Sequence, residues 1–158
     1  LRSGAYTPKS SVQTISNAMD VGDPSNYSRM LYLYNSAYDS ICKDVKGFYF
    51  DDEATKTALI DVNKNVQYLM DPHGTVGYMA LKKIISEKEI GLFLETAHPA
   101  KFSEVVEPLI KKPVALPESL KKFENRVVNS QRVSNDYEQF KKKLISDYQA
   151  AAKKDLIG

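Results

Sequence analysis

Three clusters in this 158-residue chain have side chains of the types and spacing that chemistry needs. In the first, the apolar run Gly91-Leu92-Phe93-Leu94 stops at Glu95-Thr96-Ala97-His98, and Pro99-Ala100-Lys101-Phe102 follows. In the second, Ser16-Asn17-Ala18-Met19-Asp20 trails the run Val12–Ile15, with Asp23-Pro24 and Arg29 a little further on. The third is Asp71-Pro72-His73-Gly74-Thr75-Val76-Gly77. In each, a cap-type residue (Asp23, Asp71 or His98) stands directly before proline; Asp is the stronger cap and His the weaker. Proline suits a first helical position, because its missing N–H would be unpaired there and its φ is already helical. Helix starts leave N–H groups free and carry partial positive charge, so several of them together can hold an anion. An apolar run handing over to a helix start is also how the mouth of an α/β sheet is built, where small ligands bind.

Taken singly, these residues have plain readings beside the chemical ones. The Thr96 hydroxyl either caps its turn or faces a ligand. Asp20 and Asp23 read as turn residues and Arg29 as a solvated helix charge. His73 and His98 are the only histidines. A metal site asks for three or four convergent ligands, and neither histidine has a second ligand at helical spacing, so no metal is expected. The expectation is that His98 orders the turn beside Thr96, with proton transfer a further option, while His73 satisfies neighbouring backbone groups. Lys101 offers an amine that could form a Schiff base, face a substrate anion, or lie solvated in a helix's first turn.

The elements that position these residues follow from periodicity. Residues 1–23 read as an extended lead-in with a short strand at Val12–Ile15. Pro24 is expected to open one long helix to Lys46, stopped by Gly47, with Tyr27, Met30, Leu31, Tyr34, Tyr38, Ile41 and Val45 recurring on one packing face. Asp51 and Asp52 are candidate caps of a second helix that carries Leu59, Val62, Val66 and Leu69. A third helix spans about 74–86, and Ile90–Glu95 is the clearest strand. A fourth runs from Pro99 to Lys111, with Val105, Val106, Leu109 and Ile110 buried. Residues 24–122 thus hold the helices and central strand, the last of them a short helix at 118–122. The extension 123–158 brings a strand candidate at Val127-Val128 and a helix over 135–153 that docks through Tyr137, Phe140, Leu144 and Tyr148.

Bulk properties narrow the class. A hydrophobic share of 42% and a charged share of 27% are those of a folded soluble chain. A net charge of +2 gives no reason to expect nucleic acid. Residues 121–158 carry nine Lys/Arg against five Asp/Glu, but their aromatics share the apolar face and are not interleaved with the lysines. No apolar run approaches the ~20 residues that cross a bilayer, so no membrane is expected. The lone Cys42 cannot close an internal disulfide, which points to a reducing, cytoplasmic setting. The start Leu1-Arg2-Ser3-Gly4 lacks Met and reads as internal to a longer protein.

The three strings Ser16 to Arg29, Asp71 to Gly77 and Thr96 to Phe102, in this order and spacing, resemble the C-terminal part of the microbial and fungal threonine synthases. The resemblance covers residues 6–130 and fades over 131–158. It implies a pyridoxal 5'-phosphate (PLP) enzyme of the tryptophan-synthase-like fold, a carbon–oxygen lyase acting on phosphate. Such enzymes convert O-phospho-L-homoserine and water to L-threonine and phosphate. By the resemblance Thr96 is the hydroxyl partner of the cofactor's ring nitrogen, and a neutral hydroxyl tunes the ring as an electron sink differently from an Asp. Ser16, Asn17, Asp20 and Arg29 are similar to a substrate-pocket wall, with His98 and Lys101 beside them. Hydroxyl, amide and guanidinium groups suit a carboxylate and a phosphate. The family's Schiff-base lysine and glycine-rich phosphate cradle lie upstream of anything matched here, which argues against that role for Lys101.

The fold class expected is therefore α/β, a helix-rich part of an open twisted sheet of a fold-type II PLP enzyme. Few strands are present, and the sheet is completed by a missing N-terminal portion of the same chain. The 158 residues alone are expected to be inactive. The competing expectation is a non-catalytic helical interaction module with covered edges and no polar pocket between helix starts. An inactive, diverged homologue is the third.

Overall fold

The computed structural model describes residues 4–127 and 130–155, with side chains as far as residue 150. The chain divides after Leu116 into two compact units, residues 1–116 and 117–158.

The first unit holds five α-helices: α1 (Tyr27–Leu33), α2 (Tyr38–Asp44), α3 (Asp52–Asn65), α4 (Pro72–Ile84) and α5 (Ser103–Ile110). Two 3-10 turns, Asn17–Met19 and Pro99–Phe102, complete it. Asp51 caps α3 as expected, its carboxylate accepting from the Ala54 N–H. Asp71 caps α4 with Pro72 at the first helical position, so this helix begins two residues before the sequence pattern placed it. The core lies where α3 packs on α4 and α5, around Leu59, Val62, Met70 and Val106, with Ile41 of α2 also buried. Thr55 and Thr75 enter it too, because each hydroxyl donates to the carbonyl four residues back, Asp51 and Asp71 respectively, at 2.8 Å.

The single helix expected over 24–46 is in fact two. Asn35 and Ser36 take φ of 48° and 56°, and the Ser36 and Asn35 N–H groups donate back to the Leu31 and Tyr32 carbonyls. That is a Schellman ending with asparagine in the left-handed position. Asp23 does not cap α1, because its carboxylate accepts from the Tyr6 hydroxyl at 2.6 Å, and α1 begins at Tyr27. Gly47 is not the stop either: α2 ends at Asp44, followed by an extended Val45. Of the residues expected on one packing face, Ile41 is buried, Tyr27, Met30, Leu31, Tyr34 and Val45 are half-buried, with Tyr27 stacked on Tyr6, and Tyr38 is exposed.

No β-strand forms among the described residues. Residues 12–14 and 90–95 take no regular secondary structure and have no ladder partner among the described residues, and an isolated strand cannot satisfy its own backbone groups. The pleat is nevertheless visible in 90–95. Phe93 packs edge-on against Tyr78 of α4, while Ile90, Leu92 and Leu94 are 102, 82 and 72% exposed. Gly91 is a close approach: a Cβ there would meet Ile85 at 2.6 Å and Leu81 at 2.7 Å.

The second unit contains α6 (Glu118–Lys121) and α7 (Tyr137–Asp155). Val127 is not in a strand, and Val128 lies outside the described residues. The face expected to dock α7 is bare, with Tyr137, Phe140, Leu144 and Tyr148 all exposed. Among the described residues no helix is long and apolar enough to cross a membrane.

Candidate functional site

Two hollows flank the 3-10 turn Pro99–Phe102. The first, of about 660 Å³, is lined by Glu95, Thr96, Ala97, His98 and Pro99 on one side and Tyr68, Leu69, Val114 and Ala115 on the other. The second, of about 710 Å³, is lined by Gln13, Thr14, Asn17, Asp52, Lys101 and Phe102 among others. Both sizes are ordinary for small-molecule sites. The turn between them is set by proline and a histidine cap: His98 accepts the Ala100 N–H at Nδ1, 3.1 Å away. His98 thus orders the turn beside Thr96, as its place before Pro99 implied.

The structure connects the three proline-marked strings through hydrogen bonds. Ala18 N–H donates to His73 Nε2 at 3.0 Å. His73 Nδ1 lies 2.6 Å from Asp71 Oδ1, which also accepts the His73 N–H at 2.8 Å. Because Nε2 accepts, the ring is neutral with its hydrogen on Nδ1. Asp71 N–H in turn donates to Glu95 Oε1 at 2.8 Å, one residue before Thr96. His73 also packs at 4.7 Å against Phe102, beside Lys101. So His73 does satisfy a backbone group, one that belongs to a segment 55 residues away in sequence.

Electrostatics single out one member of this chain of contacts. Burial, reinforced by the neighbouring Asp71 carboxyl, pushes Glu95 up to about 7. Burial works against charge on Asp71 as well, but the neighbouring Glu95 carboxyl and the hydrogen bonds from the His73 N–H and ring outweigh it and hold the Asp71 carboxyl below its usual range. Glu95 was not singled out from sequence; an acidic residue closing an apolar run was the available signal.

The expected site residues fall into three groups. Thr96 and His98 line the first hollow, and no partner takes the Thr96 hydroxyl among the described residues. Asn17 and Lys101 line the second. Ser16 is buried behind it, 3.0 Å from the Thr14 hydroxyl, and Asp20 fixes the same threonine by accepting its N–H and its hydroxyl, each at 2.7 Å. Arg29 stands apart, exposed on α1 and lining neither hollow. Gln13, Thr14 and Tyr68 were missed, because no local pattern marks a residue that reaches a pocket only through tertiary contact.

Known proteins match this chain. A family model described as threonine synthase, C-terminal, matches residues 75–144. Threonine synthase from Haemophilus influenzae is 37% identical over 145 residues, covering 92% of this chain and 34% of that protein. The crystal structure of threonine synthase from Escherichia coli superposes with a TM-score of 0.81 at 33% identity, over 92% of this chain and 34% of that one. The match is to the threonine synthase family, in its C-terminal region. A PLP-bound threonine synthase from Brucella melitensis shares the fold, with a TM-score of 0.68 at 24% identity over 93% of this chain and 36% of that one. The chain spans about a third of the length of the threonine synthases it matches.

Proposed function

We propose that the full-length protein carrying this chain is a PLP-dependent threonine synthase that converts O-phospho-L-homoserine and water to L-threonine and phosphate. In this reading the chain supplies the cofactor-ring side and one wall of the substrate pocket. The observation that carries it is Thr96, which lines the first hollow and whose hydroxyl has no partner among the described residues. Such a hollow, with Leu69, Pro99 and Val114 as apolar wall and Thr96, Glu95, His98 and Tyr68 as polar groups, fits the edge of a pyridine ring, and the Thr96 O–H would donate to the ring nitrogen. Bound there, the cofactor supplies the electron sink for the carbon–oxygen cleavage.

The chain's own residues bind and orient. Lys101 and Asn17, across the 99–102 turn from Thr96, are placed to take the anionic groups of a phosphorylated amino acid. Ser16 and Asp20 act through Thr14 as supports of that wall. Arg29 has no part in the wall formed here. The Schiff-base lysine and the phosphate cradle would come from the rest of the protein. So would the strands that pair with 90–95, making the α/β sheet whose bare pleat face is Ile90, Leu92 and Leu94. That bare face and the hollows between helix starts speak against the helical interaction module, which needs covered edges.

The test is Thr96→Val in the full-length protein. Losing a hydrogen bond of about 1–1.5 kcal/mol should weaken PLP binding about tenfold or slow turnover by a similar factor. Wild-type cofactor affinity together with wild-type kinetics would remove Thr96 from the site.

A further inference from the structure

Glu95 and Asp71 stand in an unusual relation. Each has one carboxyl oxygen committed to N–H donors: Glu95 Oε1 to the Asp71 N–H, and Asp71 Oδ1 to the His73 N–H and ring. The other oxygen of each, Glu95 Oε2 and Asp71 Oδ2, is buried with no hydrogen-bond partner among the described residues. Two ionised carboxylates cannot leave such oxygens side by side away from water, because neither can donate and their charges repel. No lysine or arginine among the described residues pairs with either. The other titratable groups around them are His73 on α4, His98 past Thr96, and Tyr68 across the hollow. The His73 N–H is already spent on Oδ1, and His98 Nδ1 is spent as an acceptor. Gly74 leaves the space this contact needs, since a Cβ there would fall on the Glu95 carboxyl.

We propose that Glu95 and Asp71 share one proton between these two buried oxygens, and that this acid–carboxylate hydrogen bond positions Thr96 against the start of α4. Its bearing on cofactor binding rests on the function proposed above; the clasp itself does not. Glu95 is then the donor and Asp71 the acceptor, so every oxygen of the pair has a partner. Through His73 the same carboxylate fixes the Ala18 turn, so one proton ties three segments together.

The sign of the pH dependence follows. Glu95 is raised to about 7 from an ordinary 4.5, so between those values the folded protein holds a proton that the unfolded chain has released. Stability therefore falls as pH rises through this window and levels off above it. Asp71, shifted down, acts oppositely at lower pH, and the two titrate as a pair.

The experiment compares the full-length protein with its Glu95→Gln and Glu95→Ala variants. At about pH 6 the unmodified protein should show the infrared C=O stretch of a buried protonated carboxyl, missing from both variants. Its thermal midpoint should drop as pH rises across the window, and this slope should flatten in both variants. Amide exchange at Thr96 and Gly74 should speed several-fold in Glu95→Ala and be largely restored in Glu95→Gln, whose side-chain amide still donates to Asp71. No protonated-carboxyl signal at this pH overturns the proposal even if Glu95→Ala does not fold; so do equal pH slopes in all three proteins. A retained signal and clasp with an unaltered cofactor affinity in Thr96→Val would instead sink the cofactor reading and leave the clasp standing.

Discussion

His73 is committed at both ring nitrogens, donating to Asp71 and accepting from Ala18, while its face packs on Phe102. Its ring is mostly shielded from water, so these bonds are hard to replace with solvent. Replacing His73 with Ala leaves the Ala18 N–H without its acceptor and Asp71 without one of its donors. Such a change costs about 1–3 kcal/mol. We expect the urea midpoint of the full-length protein to fall accordingly, with the Ser16–Asp20 wall loosening first; an unchanged midpoint would show that the bridge carries no load. At this scale the caps were legible from sequence, because Asp71-Pro72 and His98-Pro99 are local arrangements of adjacent residues. The target of His73, 55 residues away, was not, since nothing in a linear string says which backbone N–H a ring will meet. Glu95 escaped for a related reason: an acid at the end of an apolar run reads as solvent-facing until the fold buries it.

Helix α4 offers a contrast of sign within one element. Gly74 lies against the Glu95 carboxyl, which a Cβ would displace, whereas a Cβ on Gly77 would make only an ordinary contact with Phe93 at 3.9 Å. Gly74→Ala should therefore destabilise by about 1–3 kcal/mol through overpacking. Gly77→Ala should stabilise by about 0.5–1 kcal/mol, because alanine loses less backbone entropy in a helix. Paired denaturation curves check both, and a common sign for the two would contradict the packing described. Helices α3 and α4 were legible in sequence because their apolar spacing agrees with their caps, whereas the helix expected from Pro99 to Lys111 divides into the 3-10 turn Pro99–Phe102, capped by His98, and α5, whose start has no side-chain cap. The division of α1 from α2 was not, because Leu31, Tyr34 and Tyr38 keep helical spacing through the Asn35-Ser36 ending. Periodicity reports which residues could share a face; it does not report whether the backbone between them turns left-handed.

Across the molecule, the expected strand 90–95 keeps its alternation but has no ladder, and its outward face is apolar and open. A strand's period is a property of its own residues, whereas its pairing belongs to other strands, so the sequence showed the first and not the second. The threonine synthases matched above are about three times as long as this chain. The most direct measurement is product formation from O-phospho-L-homoserine and PLP. The full-length protein should release threonine and phosphate in equal amounts while residues 1–158 alone release none; an inactive full-length protein, or turnover by residues 1–158 alone, would contradict it.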